Sequence, residues 1–306
     1  MMGVVVGRRP GKAAWMGKPC WTLGTTAPNV VIVEIPVKAG GGDHWFLLRG
    51  DVHWDNPHCD RALEMKHLRQ AQERGAGIID VGDLFCAMQG KYDKRADKSC
   101  VRPEHQAGDY LDALVRTATD YYAPFAGNFV VIGQGNHETA IRKRHETDLT
   151  ERLVSALKDR TGAGLRRGGY TGWVVFRFKY HTRMASVKLW YCHGYGGGGP
   201  VTVDNIQAQR QVAYVRDADI MVSGHTHDRW SRDFVTIGLN QQHIPEQRKI
   251  EYVKTATYKD EYAGGEGGWH IETGKPPKPK GAMWLRLMPC TEKHGLRVAW
   301  ETTRAS

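Results

Sequence analysis

Five short apolar runs in this chain end in the same way, and the shared ending narrows the folds open to it. Phe46–Leu48 runs into Arg49-Gly50-Asp51-Val52-His53, and Ile78–Val81 into Gly82-Asp83. Val130–Ile132 runs into Gly135-Asn136-His137-Glu138, Leu189–Tyr191 into His193-Gly194, and Ile220–Val222 into Gly224-His225-Thr226-His227. Each run is short and rich in strand formers. Each delivers a glycine beside a carboxylate, amide or imidazole. Open α/β sheets gather ligands at the carboxyl ends of their strands, so five such endings can meet at one spot. A single Asp-x-His or Gly-Asp is commonplace. Five in order, each after an apolar strand, predict a metal-binding site.

Further strand-like runs are Val30–Ile35, Trp173–Phe178, Ile250–Thr257, Ala282–Leu287 and Leu296–Trp300. Helical spacing links Leu111, Leu114, Val115, Ala118 and Tyr122 before Pro124, and Leu149, Leu153 and Leu157 before Gly162. Ala62, Met65 and Leu68 suggest a third helix, and Ile206 with Ala213 a fourth. Strand and helix alternate in the first half, and strands dominate the end. The expected class is α/β, with two packed mixed sheets flanked by helices. The expected organisation is one domain over 1–306, with an N-terminal extension of about 1–28 and a β-rich part over about 233–306. Gly196–Gly199, Ala263–Gly268 and Gly274–Lys280 read as loops.

At 306 residues, with 41% hydrophobic and 25% charged residues, the chain has an ordinary globular composition and is not a disordered one. No apolar run approaches the roughly 18 residues of a membrane span. The apolar Met1–Gly7 precedes Arg8, Arg9 and Lys12, the reverse of a secretory signal. The expectation is a cytoplasmic protein with no membrane partner. The net charge of +10 favours polyanions such as nucleic acid or phosphorylated compounds; a merely solvated basic surface is the plainer account. None of the six cysteines forms a Cys-x-x-Cys pair, so a thiolate zinc site lacks support and reduced, packed thiols are expected.

The ordered set Asp51-x-His53, Gly82-Asp83, Gly135-Asn136-His137-Glu138, His193 and Gly224-His225-x-His227 resembles the calcineurin-like metallophosphoesterases. The stretch His193–Pro200, with Gln207–Tyr214 and Ala218–Ile220, is similar to a subgroup often encoded by bacteriophages. The resemblance implies two transition-metal ions sharing one carboxylate. Asp51, His53, Asp83 and His227 would hold the first ion, and Asp83, Asn136, His193 and His225 the second. Mixed imidazole, carboxylate and amide donors suit manganese first, then iron or zinc, better than calcium. Two divalent ions, two carboxylates and a bridging hydroxide leave a core near +1, which attracts a phosphate ester. The implied reaction is hydrolysis of phosphate esters, diesters favoured, by in-line attack of the bridging hydroxide. His137 is the implied acid for the leaving group, with Glu138 orienting it; a carboxylate at a helix start is the plainer account of Glu138.

Other expectations are weaker in chemistry. A nuclease of the same superfamily is the first alternative, and a non-catalytic scaffold on the same fold the second. A nucleic acid or nucleotide is an admissible partner, and the oligomeric state is open. Where many relatives carry a charged residue after Gly-Asp, this chain has Cys86, expected to be a packed thiol. Arg49 could touch phosphate or lie along the strand end. Trp54 could stack a nucleobase or cap the site. Tyr195 and Gly196–Gly199 could form a substrate-facing loop. His58, His67, His105, His145 and His243 lack ligand spacing and are expected at the surface or in packing.

Overall fold

The structure, a computed structural model, describes residues 19–38, 42–87, 101–197, 199–240, 242–263, 269–292 and 295–305. Alternation sets the first sheet. In β7 (Thr171–Tyr180), Val174, Phe176 and Phe178 point inward while their neighbours are more exposed. β7 pairs antiparallel with β8 (Arg183–Cys192) and parallel with β2 (Val30–Pro36). β1 (Thr22–Ala27) edges β2. On the other side, β8 pairs parallel with β9 (Ile220–Ser223), which meets β11 (Pro245–Thr255) and then β10 (Arg229–Leu239). The seven-stranded order is therefore β1-β2-β7-β8-β9-β11-β10.

The second sheet has the order β13-β12-β3-β4-β5-β6. Its central strands β3 (His44–Arg49), β4 (Gly77–Asp80) and β5 (Phe129–Ile132) are parallel and almost wholly buried. That is why they read as unbroken apolar runs. β12 (Met283–Glu292) and β13 (Gly295–Arg304) close one side and β6 (Arg166–Arg167) the other.

The two sheets pack face to face through Phe46, Leu48, Ile79 and Val131 on one and Phe176, Leu189, Ile220 and Val222 on the other. Phe46 and Phe176 meet with ring centroids 4.5 Å apart. α1 (Arg61–Glu73), α2 (Tyr110–Tyr122) and α4 (Leu149–Thr161) cover the outer face of the six-stranded sheet. α5 (Asn205–Tyr214) covers part of the other, packing Ala208 and Val212 against Trp190 and Met221. No helix among the described residues is long and apolar enough to cross a membrane.

The expected class is what the fold shows, but several details differ. Thr22–Ala27, placed in the N-terminal extension, forms strand β1; residues 1–18 lie outside the described residues. α1 buries Glu64, His67, Leu68 and Ala71, and Ala62 faces solvent. α5 buries Ala208, Gln211 and Val212, so Ile206 and Ala213 lie on its exposed side. Both departures have one cause: polar residues with buried partners replaced the apolar residues on which the phase was judged. Cys20, Cys59, Cys86, Cys192 and Cys290 are free thiols. Met1–Lys12, Cys100, Gly198 and residues 264–268 lie outside the described residues.

Candidate metal centre

The glycine endings turn the chain sharply at the strand ends. Asp51, His53, Asp83, His225 and His227 all have positive φ, between 48° and 73°. This left-handed conformation is uncommon for residues with a side chain and gathers at functional sites. Main-chain bonds hold it: Asp51 N–H donates to Gly82 O at 2.9 Å and His53 N–H to Asp83 O at 3.0 Å. Gly135 is needed for closeness, since a Cβ there would lie 2.5 Å from the Asp83 nitrogen.

The five endings converge. Asp51, His53, Asp83 and Asn136 follow strands of the six-stranded sheet; His193, His225 and His227 follow strands of the other. Among the described residues, groups that could hold a metal ion are Asp51 with His53 and His227, and Asp83 with His193 and His225. A third group joins His53, Cys86 and His137. Asn136 Oδ1 lies 3.1 Å from His193 Nε2 and 2.8 Å from His225 Nδ1. His193 Nε2 is also 3.1 Å from Asp83 Oδ2. His53 Nε2 faces His227 Nε2 at 3.2 Å, and His227 Nε2 is 3.4 Å from Asp51 Oδ1.

Hydrogen bonding at the far sides of the rings decides what faces the centre. His225 Nε2 is 2.9 Å from Gly196 O, and a carbonyl can only accept. The ring therefore donates there and, when neutral, turns a bare Nδ1 lone pair toward Asn136 Oδ1. His193 Nδ1 likewise donates to Val81 O at 3.2 Å, which aims Nε2 at two oxygens. Burial, and then the neighbouring His193, keep the His225 pKa below its usual value. Burial, and then His137, hold His53 well below its own. His193 is the exception. Burial opposes its charge, but the Asp83 carboxylate, with Asp51, lifts it to about 9. Lone pairs and carboxylate oxygens thus crowd a spot that requires a positive charge. A proton on His193 can supply one, and so can a metal ion. Buried Asp51 Oδ1, His53 Nδ1 and His227 Nδ1 have no hydrogen-bond partner. The residues present fit a metal centre.

His137 stands at the start of α3 (Asn136–His145). Its Nδ1 lies 2.5 Å from Cys86 O, its amide donates to Asp83 Oδ1 at 3.0 Å, and its Nε2 is 3.7 Å from Asp83 Oδ2. Glu138 lies at the helix start, as its plainer account has it. Its carboxylate accepts from Gly135 N–H at 2.8 Å, Phe85 N–H at 2.9 Å and Asp83 N–H at 3.2 Å. It clamps the Gly-Asp loop to the helix start and orients His137 through the backbone. Burial, and then Asp83, push its pKa up to about 8.

At two positions burial excludes one of the two accounts left open. Arg49 is wholly buried and pairs with Glu64 at 2.7 Å and Asp80 at 2.8 Å, so it does not reach a substrate. Trp54 is buried against His105, Tyr121 and Tyr122 with the Arg61 guanidinium over its ring, so it offers no face for a base. His67 bonds Tyr258, and His105 bonds Thr117 inside the packing. Cys86 is packed as expected. Burial, and then Asp55, push its thiol up to about 12. Supporting residues outside the motifs are Tyr170, whose hydroxyl bonds Gly194 O and whose ring meets His193, and Lys254. Lys254 is wholly buried and donates to Gly224 O at 2.5 Å and Asp204 Oδ2 at 2.7 Å. A lysine inside the apolar run Ile250–Thr257 was the signal for it.

No protein-family model and no curated protein matches the chain. Solved structures similar to it include Vacuolar Protein Sorting 29 from Cryptosporidium parvum, at 14% identity over 86% of this chain and 99% of that one, with a TM-score of 0.32. A conserved uncharacterized protein from Streptococcus pneumoniae TIGR4, described as a predicted phosphoesterase, is similar at 8% identity over 85% and 99%, TM-score 0.30. A double mutant of Vps29 from Entamoeba histolytica is similar at 12% identity over 67% and 93%, TM-score 0.22.

Proposed function

We propose that the chain is a metal-dependent phosphoesterase of the calcineurin-like type, with a two-ion centre and a preference for phosphodiesters. The observation that carries this is the meeting of bare imidazole nitrogens, two carboxylates and an amide oxygen at the joined ends of the two sheets. Asp51, His53, Asp83 and His227 would hold one ion, and Asp83, Asn136, His193 and His225 the other. The mixed donor set favours manganese, with iron or zinc next. When bound, the ions acidify a water and neutralise phosphate oxygens.

The chain's own residues supply the rest. The Nδ1 of His137 donates to Cys86 O, which leaves Nε2 to hold the proton for a leaving alkoxide. Asp83 Oδ1 fixes the His137 backbone, so the acid and the ligand shared by both ions are placed together. Glu138 keeps that turn rigid. The diester preference rests on this acid, which a poor leaving group needs, and on the net charge of +10. A nuclease is the same chemistry on a polymeric diester.

The test is to strip the protein with chelator, restore Mn²⁺, and compare bis-p-nitrophenyl phosphate with p-nitrophenyl phosphate, using Asp83→Ala as blank. Metal-dependent cleavage led by the diester is expected. Faster cleavage of the monoester would make the protein a phosphatase. Two bound ions with neither ester cleaved would point to a narrow substrate or to the scaffold.

A further inference from the structure

Cys86 lies where the proposed reaction gives it no task, yet its sulfur belongs to a group of three donors. The Cys86 sulfur and a ring nitrogen from each of His53 and His137 all lie within 4.8 Å of one another. The group is dry: Cys86 and His53 are each 2% exposed and His137 is 9% exposed. The His53 Nδ1 is buried without a hydrogen-bond partner. The sulfur accepts from the Asn56 amide at 3.4 Å. The turn that carries it is rigid. Asp55 accepts from Cys86 N–H at 2.5 Å, from Ala87 N–H at 2.9 Å and from the Tyr110 hydroxyl at 3.1 Å. The His137 ring is anchored on Cys86 O, so one residue sets both the thiol and the imidazole.

A sulfur with two imidazoles is the donor set of zinc or cadmium, not of manganese or magnesium. A tetrahedral zinc brings such donors to about 3.5 Å from one another, so from separations of at most 4.8 Å the group closes by no more than about an ångström. We propose that Cys86, His53 and His137 form a soft-metal site that shares His53 with the ligand set proposed for the first catalytic ion, and that its occupation by Zn²⁺ or Cd²⁺ stops turnover. As the metal–sulfur bond forms, the thiol proton leaves to solvent; no oxidant or reductant is involved. Binding at this site takes the His137 ring as a ligand and withdraws the acid. The inhibitory part rests on the phosphoesterase reading, and the binding part does not.

The experiment uses the full chain, stripped with chelator and titrated with Cd²⁺, following the near-ultraviolet thiolate-to-cadmium charge-transfer band and the ions retained after gel filtration. The wild-type chain is expected to show the band. Cys86→Ser, checked for folding by circular dichroism, should lose it and retain about one Cd²⁺ fewer. His137→Gln keeps the thiol and should weaken the band's midpoint at least about tenfold, an arm that stands if Cys86→Ser fails to fold. A band absent from the wild type, or unchanged in His137→Gln, overturns the site, as does one that persists in folded Cys86→Ser. Diester turnover of the Mn²⁺-loaded wild type is then measured with and without added Zn²⁺. Turnover that survives Zn²⁺ while the band forms overturns the inhibition. Absence of Mn²⁺ turnover with the band present counts against the phosphoesterase reading alone.

Discussion

Asp83 carries more of the centre than any other side chain. Its Oδ2 faces His193, its Oδ1 fixes the amide of His137, and its own amide is held by Glu138. In the proposed centre, Asp83→Ala would therefore remove the shared ligand and loosen the proposed acid together. Mn²⁺ retained per chain should fall, and diester turnover should drop by at least about 100-fold; metal analysis and steady-state rates on the same preparation check it. His137→Ala differs in kind. The proposed ligands stay, so Mn²⁺ should still bind, while turnover falls by roughly 10²–10⁴-fold for a poor leaving group and far less for p-nitrophenolate. Equal losses on both esters would remove His137 from the acid role. Burial decides between the accounts left open at this scale. Arg49 and Trp54 sit beside the motif in sequence, but the first is drawn inward by Glu64 and Asp80 and the second by Tyr121 and Tyr122. Those partners come from distant segments, and no local pattern announces them.

Elements legible in the sequence were those whose burial is one-sided or complete. β3, β4, β5, β8 and β9 stand out because their apolar runs are buried, and the proposed ligands follow within a few residues. β1 and β10 are edge strands with mostly exposed side chains, so no alternation marked them. α3 ends in Arg142-Lys143-Arg144-His145 and buries only His137, Glu138 and Ile141, too little for a helical stripe. α1 hides its phase in another way, by burying His67, whose Nδ1 lies 2.8 Å from the Tyr258 hydroxyl. Burial, and then Lys66, lower the His67 pKa from 6.5 to about 4. The unfolded chain then binds a proton between pH 6.5 and 4 that the folded chain refuses, so stability falls as pH falls through that window. His67→Gln removes this titration. Urea unfolding across a pH series should show a shallower acid decline in the variant, by up to one proton in slope. An identical slope would show that His67 does not govern acid sensitivity.

For the whole molecule, the proposed ligands are divided between the sheets: Asp51, His53, Asp83 and Asn136 from one, His193, His225 and His227 from the other. Metal binding should therefore stabilise the entire fold. At a concentration of 100 times Kd, one ion adds about 2.7 kcal/mol. The wild-type Tm should rise with Mn²⁺ and fall with chelator, and Asp83→Ala should respond much less. If the substrate is a nucleic acid, the net charge of +10 further predicts binding that weakens steeply between 50 and 200 mM salt, a range over which counterion release is large; a flat response would set the nuclease alternative aside. The division of ligands also makes the centre a gauge of how the two sheets are seated. Phe46 and Phe176, in contact between the sheets, are spacers for that gauge. If the proposed centre forms, a modest trim such as Phe46→Leu should shift one row of donors against the other and change the relative affinity for Mn²⁺ and Zn²⁺; unchanged relative affinities would set this aside. Selectivity among metals would then be set partly in the hydrophobic core, by residues that never touch an ion.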